Sequence, residues 1–131
     1  MRGLDTSVLV RYLTQDDLGQ ARRANAAIAE TVARGDRFSI GVIVFCELVW
    51  VLREAYRFDK MAVVTAVERI LDTAQFVVED KDLVRHALDD YRRGAGDFSD
   101  YLIGWRYRHS GCENALTFDR ALSKSALFRV L

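Results

Sequence analysis

Proline is missing from all 131 residues, against a usual share of about 5%. That excludes a Pro-rich linker and a polyproline recognition tract. Cysteine is scarce: Cys46 and Cys112 stand alone, with no CxxC spacing. A disulfide scaffold is excluded, and the thiols read as reduced, in an intracellular, cytoplasmic setting. Long apolar runs are missing too. The most apolar stretch, residues 40–52, carries Glu47 in its middle, whereas a membrane span needs about 20 apolar residues with no central charge. Asp5 and Arg11 interrupt any apolar stretch near the start, so no signal peptide is legible and no membrane partner is expected. Net charge is also absent, because 19 Lys+Arg offset 19 Asp+Glu. A protein that coats nucleic acid by bulk charge is thereby excluded; one with a local basic rim is not. Lysine is nearly absent beside sixteen arginines. A coding bias accounts for that ratio, and so does phosphate contact, since Arg grips phosphate bidentately.

What is present describes a folded domain. Half of the residues are hydrophobic and 29% are charged, the balance of an ordinary globular chain. The length predicts one domain over 1–131 that buries about two-thirds of its unfolded surface. No repeat, low-complexity tract or linker interrupts it. Short apolar runs alternate with helical patterns. Gly3-Leu4 reads as a strand end, followed by a helix that Thr6 or Ser7 can cap and that carries Val8, Leu9, Tyr12 and Leu13. Asp17 with Gln20 resembles a capping box for a helix over 18–34 that stops at Gly35. Further strands are predicted at 38–40, 75–78, 115–118 and 128–131. Further helices are predicted at 43–56 (apolar at Val44, Leu48, Val51, Leu52 and Ala55), 60–73 after Asp59, 81–93 after Asp80, and from Asp97 or Ser99 to Gly111. Strands alternating with helices of about 12 residues predict parallel βαβ units in an α/β sandwich. Ligands in such folds bind at the carboxyl ends of strands, which directs attention to Asp5 and Asp119.

Four acids stand out. Asp5 follows a strand. Glu47 lies in the most hydrophobic helix, where a Glu is rarely buried without a partner. Asp100 begins a helix, three residues after Asp97. Asp119 follows Thr117-Phe118 at a strand end. If Asp5, Glu47 and Asp100 converge at about 5 Å, each like-charge pair costs on the order of 3 kcal/mol at an effective dielectric of 20. Such a site takes up protons or a cation. Carboxylate oxygens without a His or Cys cluster select Mg²⁺ or Mn²⁺ over zinc, and a water on such an ion can attack a phosphate. Each acid also has a plain structural role open to it: Asp5, Asp97 and Asp100 as helix-start residues, Asp119 as a turn residue, Glu47 on a solvated helix face. The residues alone leave both readings standing. His109 and Cys112 offer only two soft ligands, too few for structural zinc, and Cys46 reads as a small core residue.

The segments GLDTSVLVRYLTQDD, ELVWVL, GDFSDYLIG and ALTFDRAL, in that order, resemble the PIN-domain nucleases, and among them the VapC toxins of bacterial toxin–antitoxin pairs. The resemblance spans nearly the whole chain. It implies a three-layer α/β/α sandwich around a central, mostly parallel sheet, and a Mg²⁺- or Mn²⁺-dependent endoribonuclease. By motif it makes Asp5, Glu47, Asp100 and Asp119 the catalytic metal ligands. Thr6 and Ser7 match the polar pair after the first Asp, though Asn is the common residue at Ser7. Thr117 matches the small polar residue that orients water or phosphate. Asp97 lies one helical turn before Asp100, as a supporting residue or a cap. The implied partners are an RNA substrate, a cognate antitoxin and a second copy of the chain. Arg11, Arg92, Arg93, Arg106, Arg108 and Arg120 are candidates for an RNA-facing rim. Val8, Leu9, Tyr12, Val49, Trp50 and Leu52 supply apolar surface for partners. The rival readings are an acidic-site phosphohydrolase and a receiver-like signalling domain. Against the first, a dehalogenase-like phosphatase needs a second Asp where Ser7 stands. Against the second, a receiver needs its middle acid at a strand end rather than in a helix.

Overall fold

A computed structural model describes residues 1–131. The chain divides into two compact units, Met1–Glu79 and Asp80–Leu131.

In the first unit the elements run β1 (Arg2–Gly3), α1 (Thr6–Thr14), α2 (Leu18–Ala33), β2 (Phe38–Ile40), α3 (Val42–Glu54), α4 (Lys60–Leu71) and β3 (Phe76–Val78). The strands pair in the order β1-β2-β3, all parallel, with Gly3 opposite Ser39 and Ile40 opposite Val78. The ladder runs one residue further at its carboxyl end: Leu4 N–H donates to Ser39 O at 3.0 Å and Glu79 N–H to Ile40 O at 2.9 Å. Asp5, Gly41 and Glu79 therefore leave the sheet at one end. One face of each inner strand is fully buried, Phe38 with Ile40 on β2 and Phe76 with Val78 on β3, while Ser39 and Val77 between them are half-buried.

Helix ends follow local chemistry. Asp17 Oδ1 accepts from Gln20 N–H at 3.0 Å, and Asp59 Oδ1 accepts from Ala62 N–H at 2.8 Å. The Asp17–Gln20 capping box is only half formed, because the Gln20 side chain accepts from Arg11 Nε instead of reaching back. The α1 cap also differs from expectation. Asp5 holds the cap position and Thr6 is already helical, since the Thr6 hydroxyl is engaged elsewhere. In α3 the buried stripe is Phe45, Leu48, Val49 and Leu52. That is an i, i+3, i+4, i+7 pattern turned from the expected one: Val44 and Val51 are half-buried and Ala55 is exposed. Leu9, Val49 and Leu52 are therefore core rather than partner surface, while Trp50 is 66% exposed. Burying each such Leu or Val contributes about 1.5–3 kcal/mol.

The second unit holds α5 (Lys81–Arg93), α6 (Phe98–His109), β4 (Ala115–Thr117), a 3₁₀ turn (Arg120–Leu122) and β5 (Phe128–Val130). α5 buries Leu83, Val84, Ala87, Leu88 and Tyr91, and α6 buries Phe98, Tyr101 and Leu102. Tyr91 and Phe98 meet edge to face at 6.2 Å. At Gly104 a Cβ would lie 2.9 Å from both Leu127 Cβ and Phe128 Cε2, so only glycine lets α6 approach the β5 segment this closely. β4 and β5 pair in parallel, Ala115 opposite Phe128 and Thr117 opposite Val130. All strand pairing in the chain is thus parallel, as the α/β reading expects, with the strands divided into a three-stranded and a two-stranded sheet. No helix is long and apolar enough to cross a membrane.

Candidate functional site

At the start of α1 the chain presents Asp5, Thr6 and Ser7 in succession. The Asp5 backbone adopts the extended conformation of a cap (φ −82°, ψ 158°), yet its carboxylate caps nothing. Instead Ser7 Oγ donates to Asp5 Oδ2 at 3.1 Å. The simple-cap reading of Asp5 therefore fails for its side chain. Thr6 is buried, and its Oγ1 donates to Glu47 Oε1 at 3.1 Å. Glu47 itself is exposed. It shares the solvent-facing stripe of α3 with Ile43, 77% exposed, and Trp50. Of the two facings that the sequence left open for Glu47, the structure has the solvated one: Phe45, Leu48, Val49 and Leu52 fill the buried stripe, which leaves position 47 outward. Cys46, expected in the core, is half-buried, and burial pushes its thiol pKa up.

The second unit gathers the other acids. Asp97 is the cap residue of α6, and Asp100 Oδ2 accepts from the Asp97 N–H at 3.0 Å, the backward half of a capping box. Asp119 opens the 3₁₀ turn; its Oδ1 accepts from Ala121 N–H at 2.9 Å and its own N–H donates to Thr117 Oγ1 at 3.0 Å. Burial raises the pKa of Asp100, the Asp97 N–H opposes the rise, and the negative charges of Asp97 and Asp119 add to it. Asp100 is thus a half-buried carboxyl crowded by two others, a setting that favours a proton or a cation.

Sequence reasoning put Asp5, Glu47 and Asp100, with Asp119, at one site. Within the first unit Ser7 meets Asp5 and Thr6 meets Glu47; within the second, the charges of Asp97 and Asp119 act on Asp100, and Thr117 holds the backbone of Asp119. Within neither unit do three His, Cys, Asp or Glu side chains converge closely enough to hold a metal by themselves. The donors are nonetheless all carboxylate and hydroxyl oxygens, the set that suits a hard divalent cation. Glu79, not singled out from the sequence, stands at the carboxyl end of β3, its Oε2 3.8 Å from where a Cβ on Gly41 would stand, at the start of α3. Its signal was the strand end at 75–78.

Several rim arginines are committed elsewhere. Arg11 donates to Tyr56 Oη at 2.8 Å and pairs with Asp16 at 3.2 Å; Arg106 pairs with Asp80 at 2.9 Å; Arg93 pairs with Asp89 at 2.8 Å. Arg108 differs: one of its N–H groups donates to the neutral Ala126 O at 3.0 Å, and its charge has no carboxylate partner.

Comparison with known proteins places this geometry. A VapC ribonuclease of Aquifex aeolicus (strain VF5) is 27% identical over 124 residues, covering 95% of this chain and 91% of that protein. The family model of the PIN domain matches residues 4–126, a span that takes in Asp5, Glu47, Asp100 and Asp119. With parallel strands, helices between them and acids at the strand and helix ends, the chain belongs to the PIN-domain family.

Proposed function

We propose that this protein is a VapC-type endoribonuclease, the toxin of a toxin–antitoxin pair, and that residues 1–131 act as one PIN-like domain. The observation that carries the reading is Asp100, half-buried and crowded by Asp97 and Asp119, in a chain whose family match runs from residue 4 to 126. The similarity to a VapC ribonuclease supports RNA as the substrate.

Asp5, Glu47, Asp100 and Asp119 are the residues we assign to hold a divalent ion, Mg²⁺ or Mn²⁺. When bound, such an ion lowers the pKa of water and neutralises charge on a phosphoryl group. The chain's own hydroxyls aim the carboxylates. Ser7 leaves Asp5 Oδ1 free, Thr6 fixes one oxygen of Glu47, and the Asp97 N–H fixes one oxygen of Asp100. Hydrogen bonds of this kind hold ligands in one orientation, and their loss commonly costs 10–100-fold in affinity or activity. Thr117 fixes the backbone at Asp119, so this acid serves its turn and keeps a second oxygen available.

A cytoplasmic antitoxin and a second copy of the chain are the protein partners we assign. The exposed Ile43 and Trp50 on α3, and Ile103, Tyr107 and Phe118 in the second unit, provide apolar surface for them. The test is incubation of the purified chain with structured RNA, with and without Mn²⁺. Cleavage that disappears on chelation supports the reading. Cleavage that persists in excess chelator contradicts it.

A further inference from the structure

The second unit contains a cavity of about 510 Å³ that the acids do not line. Its walls include Asp90, Arg93, Tyr101, Trp105, Arg108 and Lys124. That volume lies within the range of small-molecule sites. Three cations face one carboxylate. Arg93 is paired with Asp89 and Asp90, and Arg108 is anchored by its bond to Ala126 O. Lys124 is exposed and has no carboxylate partner.

Trp105 is held in place. Its Nε1 donates to Asp90 Oδ2 at 2.7 Å, and His86 stacks on the indole with centroids 4.5 Å apart and planes 23° from parallel. His109 meets it edge on at 6.4 Å. A ring fixed this way loses little freedom when a ligand docks, so preorganisation favours binding. Tyr101 is fixed too: its hydroxyl accepts from Gly96 N–H at 3.0 Å. The cavity also adjoins the acids along the chain. Tyr101 follows Asp100, and Ala121, another wall residue, supplies the N–H that Asp119 accepts.

We propose that this cavity is a subsite for one nucleotide of the RNA strand, its base stacked against Trp105 and its phosphate held by Arg108 and Lys124. The inference rests on the RNA-cleaving reading above. A nucleotide carries both an aromatic face and a phosphate, which matches a fixed indole beside unpaired positive charge. An acidic peptide uses the cations and leaves the indole without a role.

The test uses the full chain in excess chelator with a labelled single-stranded oligoadenylate, read by fluorescence anisotropy across a salt series. Trp105→Ala is expected to weaken binding about tenfold. Trp105→Phe, which keeps an aromatic face, is expected to stay within about threefold, and Lys124→Ala to lower the salt slope by about one. Lys124 is exposed, so that variant carries the test even where Trp105→Ala fails to fold. Unchanged affinity and salt slope in Lys124→Ala would overturn the proposal, as would equal competition by polyglutamate. The two readings separate cleanly. Normal cleavage with Lys124→Ala binding unaltered removes the subsite and leaves the nuclease. Trp105-dependent binding without cleavage under any metal removes the nuclease and leaves the subsite.

Discussion

Thr6 Oγ1 donates to Glu47 Oε1 at 3.1 Å across 41 residues of sequence. The bond ties the start of α1 to an outward-facing position on α3, and the donor is buried while the acceptor is exposed. A long, solvated Glu side chain is otherwise free to sample many rotamers. Thr6→Val keeps the shape and removes the tether. We expect a 10–100-fold loss of metal-dependent cleavage, with the far-ultraviolet circular dichroism unchanged. Cleavage at the wild-type rate would show that Glu47 needs no anchoring.

Asp100 makes the opposite trade. Its partial burial, and then the negative charges of Asp97 and Asp119, disfavour the ionised carboxyl and cost stability in the absence of a cation. Asp100→Asn relieves the repulsion while its carbonyl can still accept from the Asp97 N–H. The variant should melt at a higher temperature than wild type in chelator while losing activity, the common exchange of stability for function at an active site. A lower melting temperature in chelator would contradict this.

Acid stability depends on a network at the end of α1. Thr14 Oγ1 donates to Asp16 Oδ1 at 2.8 Å, Tyr56 Oη donates to Asp16 Oδ2 at 2.8 Å, and Arg11 pairs with the same carboxylate. The hydrogen bond from Thr14, then that from Tyr56, holds the Asp16 pKa below its ordinary 3.8. A depressed carboxylate contributes stability above its unfolded value and loses that contribution as pH falls through the folded one. Tyr56→Phe should therefore lower the melting temperature at pH 6, and the gap from wild type should close as pH drops well below 3.8. A gap that widens on acidification reverses the sign and refutes the assignment.

Gly94 allows the turn between α5 and α6. A Cβ there would clash with the Tyr101 hydroxyl and lie 2.9 Å from Asp90 O. Gly94→Ala must displace Tyr101 and with it the bond from Gly96 N–H. We expect a loss of about 1–3 kcal/mol in urea titration, typical of overpacking. A neutral result would mean that the turn relaxes freely.

Much of the fold was legible because its elements announce themselves locally. Asp17 and Asp59 cap helices where their spacing says they should, and Phe38–Ile40 is the short strand expected there. Glu47 was harder. A single Glu among apolar neighbours shows that the position is unusual, but the facing direction depends on which residues the core selects. Here Phe45 and Val49 join Leu48 and Leu52 in the buried stripe in place of Val44, Val51 and Ala55, which leaves position 47 on the outer face. The Asp5 side chain was similarly hidden: an Asp at a helix start normally caps it, and only the partner, Ser7 Oγ, shows that it does not.

On the function proposed above, Asp5, Glu47, Asp100 and Asp119 each serve metal-dependent RNA cleavage. Single-turnover cleavage of a labelled RNA at saturating Mn²⁺ by Asp5→Asn, Glu47→Gln, Asp100→Asn and Asp119→Asn tests it most directly. Every variant should fall at least about 100-fold below wild type while remaining folded, as expected when a group that stabilises transition-state charge is removed. Wild-type rates from Asp5→Asn or Asp100→Asn would contradict the account.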